Sequence, residues 1–253
     1  MIKINVTGRV KAFLTHFAFS TAAFFIVLYF IILQWYPKPH FTVNGGWQGV
    51  RIMLFVFFFL GPFLTLIVFR PLKSFRALAF DMTCIIIMQI SAFTWGVYAL
   101  HSQRPVGVSL SDGVIYPILQ SELKPQKKTP ADLKLLDDSQ PPVVYAHEAV
   151  TGDEQAGVVM YDFIEGIPAA KLFFLFEPIK NNIDKLFTAS LENTPSPPEQ
   201  FSHIRDSYLK QHHFREGDLA FVPFEGRYGS SLVIFNRSGK IIDAIPDPRH
   251  TAE

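Results

Sequence analysis

Residues 12–36 read AFLTHFAFSTAAFFIVLYFIILQWY, 25 positions without an Asp, Glu, Lys or Arg. A helix needs about 20 mostly apolar residues to cross a bilayer core, so this stretch is long enough to span. Two more such stretches follow, at 52–69 and 82–100, and neither holds a charged residue. Uniform runs of this kind do not alternate as barrel strands do, and helices are the other way to satisfy a backbone in lipid. The sequence therefore predicts an α-helical membrane part of three transmembrane helices over residues 1–101. A polar C-terminal domain over residues 102–253 is expected to be α+β.

Net charge is +1 over the whole chain, which hides a division. Residues 1–101 hold eight Lys or Arg and a single acid, Asp81, for a net +7. Residues 102–253 hold 15 basic and 21 acidic side chains, for a net −6. An acidic outer domain argues against nucleic acid as a partner. The lone cysteine, Cys84, lies in the third apolar stretch, so the domain has neither a disulfide nor thiol chemistry. At this length it can build a core without such staples.

Lys3, Arg9 and Lys11 resemble the basic start of a signal peptide. The apolar run after them is longer than a typical signal core and ends without a small-x-small cleavage site, so a retained helix is expected. Cytoplasmic flanks carry excess Lys and Arg. Lys3, Arg9, Lys11, Arg70, Lys73 and Arg76 fall on one side of the predicted spans, against Lys38, Arg51 and Arg104 on the other. Trp35, Tyr36, Trp47, Trp95 and Tyr98 cluster near the predicted outer ends, where aromatic rings anchor helices at the headgroups. The expected topology is three spans, with the N-terminus cytoplasmic and the C-terminal domain outside the cytoplasm.

Few polar features interrupt the spans. Pro62 follows Gly61, lacks an N–H and crowds the carbonyl of Phe58, which predicts a kink. Gln89 lies mid-helix. Its amide could bond another helix of this chain or a helix of a partner. His16 is expected near the inner interface. In the polar domain, residues 106–119 read as strand broken by a turn at Ser111, Asp112 and Gly113. Helices are expected over 131–137, 179–191 and 199–211, the last opened by a capping box at Ser196 and Glu199. Strands are expected at 219–222, 232–235 and 241–245, the last two joined by a hairpin containing Gly239.

The search for chemistry finds little. His203, His212 and His213 lie near Asp206, Glu216 and Asp218, but their spacing matches no metal motif and they are expected to be solvated surface. Asp153, Glu154 and Glu165 read as loop acids. There is no P-loop, dinucleotide fingerprint or Gly-x-Ser-x-Gly. No catalytic residue, metal or cofactor is expected.

Several segments together resemble the TfpX/TfpZ family of type IV pilin accessory proteins. They are the N-terminal run from Arg9 to His16, then Trp35, Tyr36 and Pro37 followed by Gly45 and Gly46. The most similar stretch is LGPFLTLIVF at 60–69. Lys73, Asp81, Gln89, Tyr98, Arg104, Pro105 and Val106 follow in the family's order, then GDLAFVPFEGR at 217–227 and the hairpin ending at Pro248. Family members often carry an acid about four residues before the Gly-Pro pair, where this chain has Phe57. The resemblance implies a non-enzymatic inner-membrane accessory protein or chaperone that helps a cognate type IV pilin assemble into pili. Its partners would be the major pilin's transmembrane helix and globular head, and the lipid bilayer. Gly61, Pro62, Gln89, Arg104 and Pro105 are the candidate partner-binding residues. The alternative is a membrane-tethered extracytoplasmic sensor or ligand-binding protein. It would need a cytoplasmic output module, and only a short N-terminus and one basic loop are expected inside.

Overall fold

The computed structural model describes residues 6–36, 40–68, 74–191, 199–215 and 217–247. Lys3, Pro37, Lys38, Phe69, Arg70, Lys73, Ser196, Glu216 and Pro248, which figure in the reading above, lie outside these residues. The chain divides into two compact units. One holds residues 1–35 and 46–101; the other holds residues 36–45 and 102–253.

The first unit is helical. α1 (Val6–Phe30) continues into a wide π-helical turn at Ile31–Trp35. α3 (Gly46–Leu54), preceded in the chain by the short α2 (His40–Val43) of the other unit, leads through a second π-helical turn at Phe55–Leu60 into α4 (Gly61–Val68). α5 runs over Phe75–Ser102. Three helical runs, Val10–Trp35, Gly46–Val68 and Phe75–Ser102, are long and apolar enough to cross a membrane. The wide turn sits immediately before Gly61 and Pro62. An i→i+5 ring there makes room for the proline, which can neither donate nor tolerate a close carbonyl one turn back. Phe24 links the helices edge-on, its ring 5.9 Å from Phe57 and 5.4 Å from Phe58. Phe57, the position where the resemblance leads one to expect an acid, is buried and also meets Phe93 at 5.4 Å.

The second unit is built on a mixed seven-stranded sheet. Its strands are β1 (Pro105–Ser111), β2 (Val114–Leu119), β3 (Val143–Ala146), β4 (Phe176–Pro178), β5 (Leu219–Glu225), β6 (Ser230–Asn236) and β7 (Ile241–Pro246). Their spatial order is β4-β3-β1-β2-β5-β6-β7. β1 with β3 and β2 with β5 are parallel pairs; the other neighbours are antiparallel. The helices are α6 (Gln120–Leu123), α7 (Pro130–Leu136), α8 (Gly152–Glu165), α9 (Ile183–Thr188) and α10 (Glu199–His212). The C-terminal domain is thus an α/β sheet domain whose central strands are buried and rich in Val, Ile and Phe, as strands covered on both faces are. β3, β4 and α8 were not expected from the sequence. The helix expected over 179–191 is shorter: a 3-10 turn at Ile179–Asn181 precedes α9.

Asp153 and Glu154 are not loop acids. They form the first turn of α8, and the Thr151 hydroxyl accepts from the Glu154 amide at 3.2 Å while the Glu154 carboxylate accepts from the Thr151 amide at 3.0 Å. Glu165 ends the same helix, and Gly166 closes it at φ 65°.

Candidate functional site

In the helical unit, the polar side chains of three helices meet. The His16 ring bonds through Nδ1 to the Thr65 hydroxyl at 2.7 Å and through Nε2 to Gln89 Oε1 at 2.5 Å. Gln89 Nε2 donates to the Ser20 hydroxyl at 3.0 Å, and Thr65 donates to the Gly61 carbonyl at 3.0 Å. Gly61 carries no side chain for a reason: a Cβ there would collide with the Gln89 amide. Pro62 is buried beside it. In an apolar setting each of these groups needs a partner, and the cluster supplies one for each by joining α1, α4 and α5. His16 is part of the bundle's own bonding, and both amide atoms of Gln89 are engaged within the chain.

Next to this cluster lies a groove of about 210 Å³. His16, Ser20 and Gln89 line it together with the apolar side chains of Phe19, Ala23, Phe57, Ile90 and Phe93. Phe19 and Ile90 are exposed. A second helix laid there would meet a mostly apolar surface, where packing rather than hydrophobic transfer gives the attraction.

The expected anchors are placed as follows. Trp95 and Tyr98 are exposed and neighbour one another, ring centroids 6.3 Å apart. Trp47 is exposed, with the Arg51 guanidinium 5.5 Å from its ring. Trp35 meets the His101 ring edge-on at 5.3 Å. Tyr36 differs from these: it is buried in the sheet unit.

That burial belongs to a loop insertion. Tyr36, His40, Val43, Asn44 and Gly45 are all buried. The Tyr228 amide donates to the Val43 carbonyl at 2.9 Å, and the Arg227 amide donates to Asn44 Oδ1 at 3.3 Å. Val43 joins the main core cluster with Val108, Leu110 and Phe224. The β5–β6 connection closes through a bond from Gly226 N to Gly229 O at 2.9 Å, and a Cβ at Gly226 would lie 2.5 Å from the Val43 carbonyl. The His40 ring packs against Phe224 at 5.5 Å and bonds Asn44 through Nδ1 at 2.7 Å. Its Nε2 is buried with no hydrogen-bond partner among the described residues. Burial holds the His40 pKa down at about 3. Burial, and then Tyr228, pushes the Tyr36 phenol up to about 12; Arg104 works against that rise. Burial also lowers the Arg104 pKa, and Tyr36 opposes that fall. Pro105 begins β1 and is buried.

Two segments far apart in sequence, 36–45 and 224–228, thus interlock. Composition gives no sign of this pairing; the glycines at 45 and 226, each facing a tight contact, are its only trace. Tyr208 stacks against His212 at 4.3 Å, and the described residues contain no group of three or more His, Cys, Asp or Glu placed to hold a metal.

The architecture defines a class: a unit of helices long and apolar enough to cross a membrane, followed by an α/β sheet domain that encloses a loop, residues 36–45, from between two of the helical runs. Comparison with known proteins narrows it. The chain is 31% identical over 93 residues to the fimbrial assembly protein of serogroups C1 and C2 of Dichelobacter nodosus, covering 37% of this chain and 71% of that one. The serogroup I and E1 proteins of the same organism match at 31% over 93 residues. This chain spans about a third of their length, 36% of each. The chain belongs to the family of these fimbrial assembly proteins. No family model and no solved structure matches it.

Proposed function

We propose that the protein is a non-catalytic accessory factor or chaperone that assists assembly of a cognate type IV pilin, as the TfpX/TfpZ resemblance implies. It works in the bacterial inner membrane, with its N-terminus cytoplasmic and residues 102–253 periplasmic. The observation that carries the reading is kinship with proteins named for fimbrial assembly. The groove beside His16 and Gln89 supports it, because it offers an exposed, mainly apolar surface to one more helix. A pilin awaiting assembly presents such a helix within the same membrane. Since Gln89 is already bonded to His16 and Ser20, the contact would rest on packing against Phe19, Ala23 and Ile90, weak enough for the subunit to leave.

A photoreactive residue at Ile90, in cells making the pilin, tests this. A crosslink to the pilin's apolar helix is expected, and Ala23→Phe, which fills the groove, should weaken it severalfold without lowering the protein's level. Normal piliation in a deletion strain, together with no crosslink, would overturn the proposal. The sidedness has its own check. In a Cys84→Ser background, Gln155→Cys should react with a membrane-impermeant maleimide from the periplasmic side, and protection there would reverse the topology.

A further inference from the structure

α8 carries two apolar faces, and only one of them is covered by other described residues. Val158 and Tyr161 pack on the cluster of Ile167, Leu172 and Leu175, and Gly157 lets the Phe174 ring approach. The second face follows the same helical spacing. Ala156, Val159, Met160, Phe163 and Ile164 recur at i, i+3, i+4, i+7 and i+8, the signature of a stripe meant to be covered. At 3.6 residues per turn its midline falls on the opposite side of the helix from Gly157 and Val158. Phe163 is 90% exposed, Val159 and Ile164 68% each, and Met160 49%. A contiguous exposed apolar patch with a polar rim marks an interaction site.

At the same spacing Asp153 and Asp162 border the stripe, and from Glu148 to Gly166 there are five acids and no Lys or Arg. Two are explained by the helix itself: Asp153 and Glu154 sit in the first turn, where negative charge is favourable, and Glu154 completes the cap. Asp162 and Glu165 lie at the other end, where the macrodipole disfavours them, so helix stability does not account for them.

We propose that the outward face of α8 is a docking surface for a partner protein that presents apolar side chains bordered by lysine or arginine. A second copy of this chain would set acids against acids, and an anionic lipid surface would meet the same repulsion. The surface is separate from the groove in the helical unit and does not depend on the function proposed for it.

The test uses the full-length protein in its native membrane. Photoreactive residues replace Phe163 and Met160, with Leu135, exposed on α7, as the control position. Adducts are identified and mapped by mass spectrometry. The expected adduct joins another protein at apolar residues within one helical turn of Lys or Arg. It should fall about tenfold in the Asp153→Lys/Asp162→Lys variant, the change that about 1.4 kcal/mol of lost attraction produces. An adduct to lipid, to a second copy or within the same chain overturns the proposal. So does labelling no stronger than at Leu135, or labelling indifferent to charge reversal. Phe163→Ser separates docking from folding. Its melting temperature should equal that of the parent while the Met160 adduct is lost, and a lower melting temperature would assign the stripe to the fold instead.

Discussion

His40 concentrates the physics of the loop insertion in one side chain. Arg227 N–H bonds Asn44 Oδ1, so Asn44 turns its amide nitrogen toward the ring, and His40 Nδ1 is the acceptor. The proton then sits on Nε2, buried without a partner among the described residues. An unmet buried donor costs about 1–3 kcal/mol, and a charged ring there would cost more. The fold therefore holds the ring neutral down to about pH 3, whereas the unfolded chain takes up a proton near pH 6.5. Between those values the unfolded state binds more protons, so stability is present above pH 6.5 and drains away below it. The slope is about 1.4 kcal/mol per pH unit. Urea unfolding of the detergent-solubilised protein at pH 7.5 and 5 should show this loss, and His40→Phe should show less of it by about 2 kcal/mol. Equal losses in the two proteins would contradict the assignment. Gly226 is the second sensitive position. Its missing Cβ faces a backbone carbonyl, that of Val43, which cannot swing aside. Gly226→Ala should destabilise the sheet unit by about 1–3 kcal/mol, read from its urea midpoint.

At the scale of elements, the sequence was legible where one signal sufficed. The β1–β2 turn at Asp112 and Gly113 and the β6–β7 hairpin at Gly239 were found because each turn lies between two apolar runs. α8 was missed although Thr151, Glu154 and Gly166 spell a cap at each end, because an apolar stripe on both sides of a helix blurs the period. β3 and β4 have four and three residues, too short for alternation to show, and the pairing of β3 with β1 and of β4 with β3 is settled by tertiary packing. Gln89 stands out in the sequence as an amide near the middle of an apolar run, but its partners do not, since His16 and Ser20 lie on another helix. Gly61 and Gln89 are one device. Gly61→Ala should push the Gln89 amide away from His16 and loosen the bundle by about 1 kcal/mol, the scale of a hydrogen bond between helices in a membrane. Steric trapping of the purified protein measures this. Gln89→Leu combined with Gly61→Ala should cost less than the sum of the two single changes, and strict additivity would show the pair to be independent.

At the scale of the whole molecule, the chain passes between its units three times: after Trp35, after Gly45 and after His101. The sequence suggested a single boundary near residue 101, because hydropathy reports where apolar runs end and is blind to ten residues that dock elsewhere. Residues 102–253 expressed alone would lack Val43 in the core and His40 over Phe224. That piece should melt at a lower temperature than the same piece supplied with a 36–45 peptide, and identical melting curves would deny the loop a structural part. Any exchange of the domain between relatives must carry residues 36–45 with it if the hybrid is to keep its core. The insertion also has a consequence in time. Asn44 leaves the ribosome 183 residues ahead of Arg227, the residue whose amide it binds. The loop is among the first parts made and among the last to find its place, so the sheet domain cannot close until translation of its final hairpin. A nascent chain stalled before β5 would hold an open seam, and a chaperone acting on this protein would find its client there.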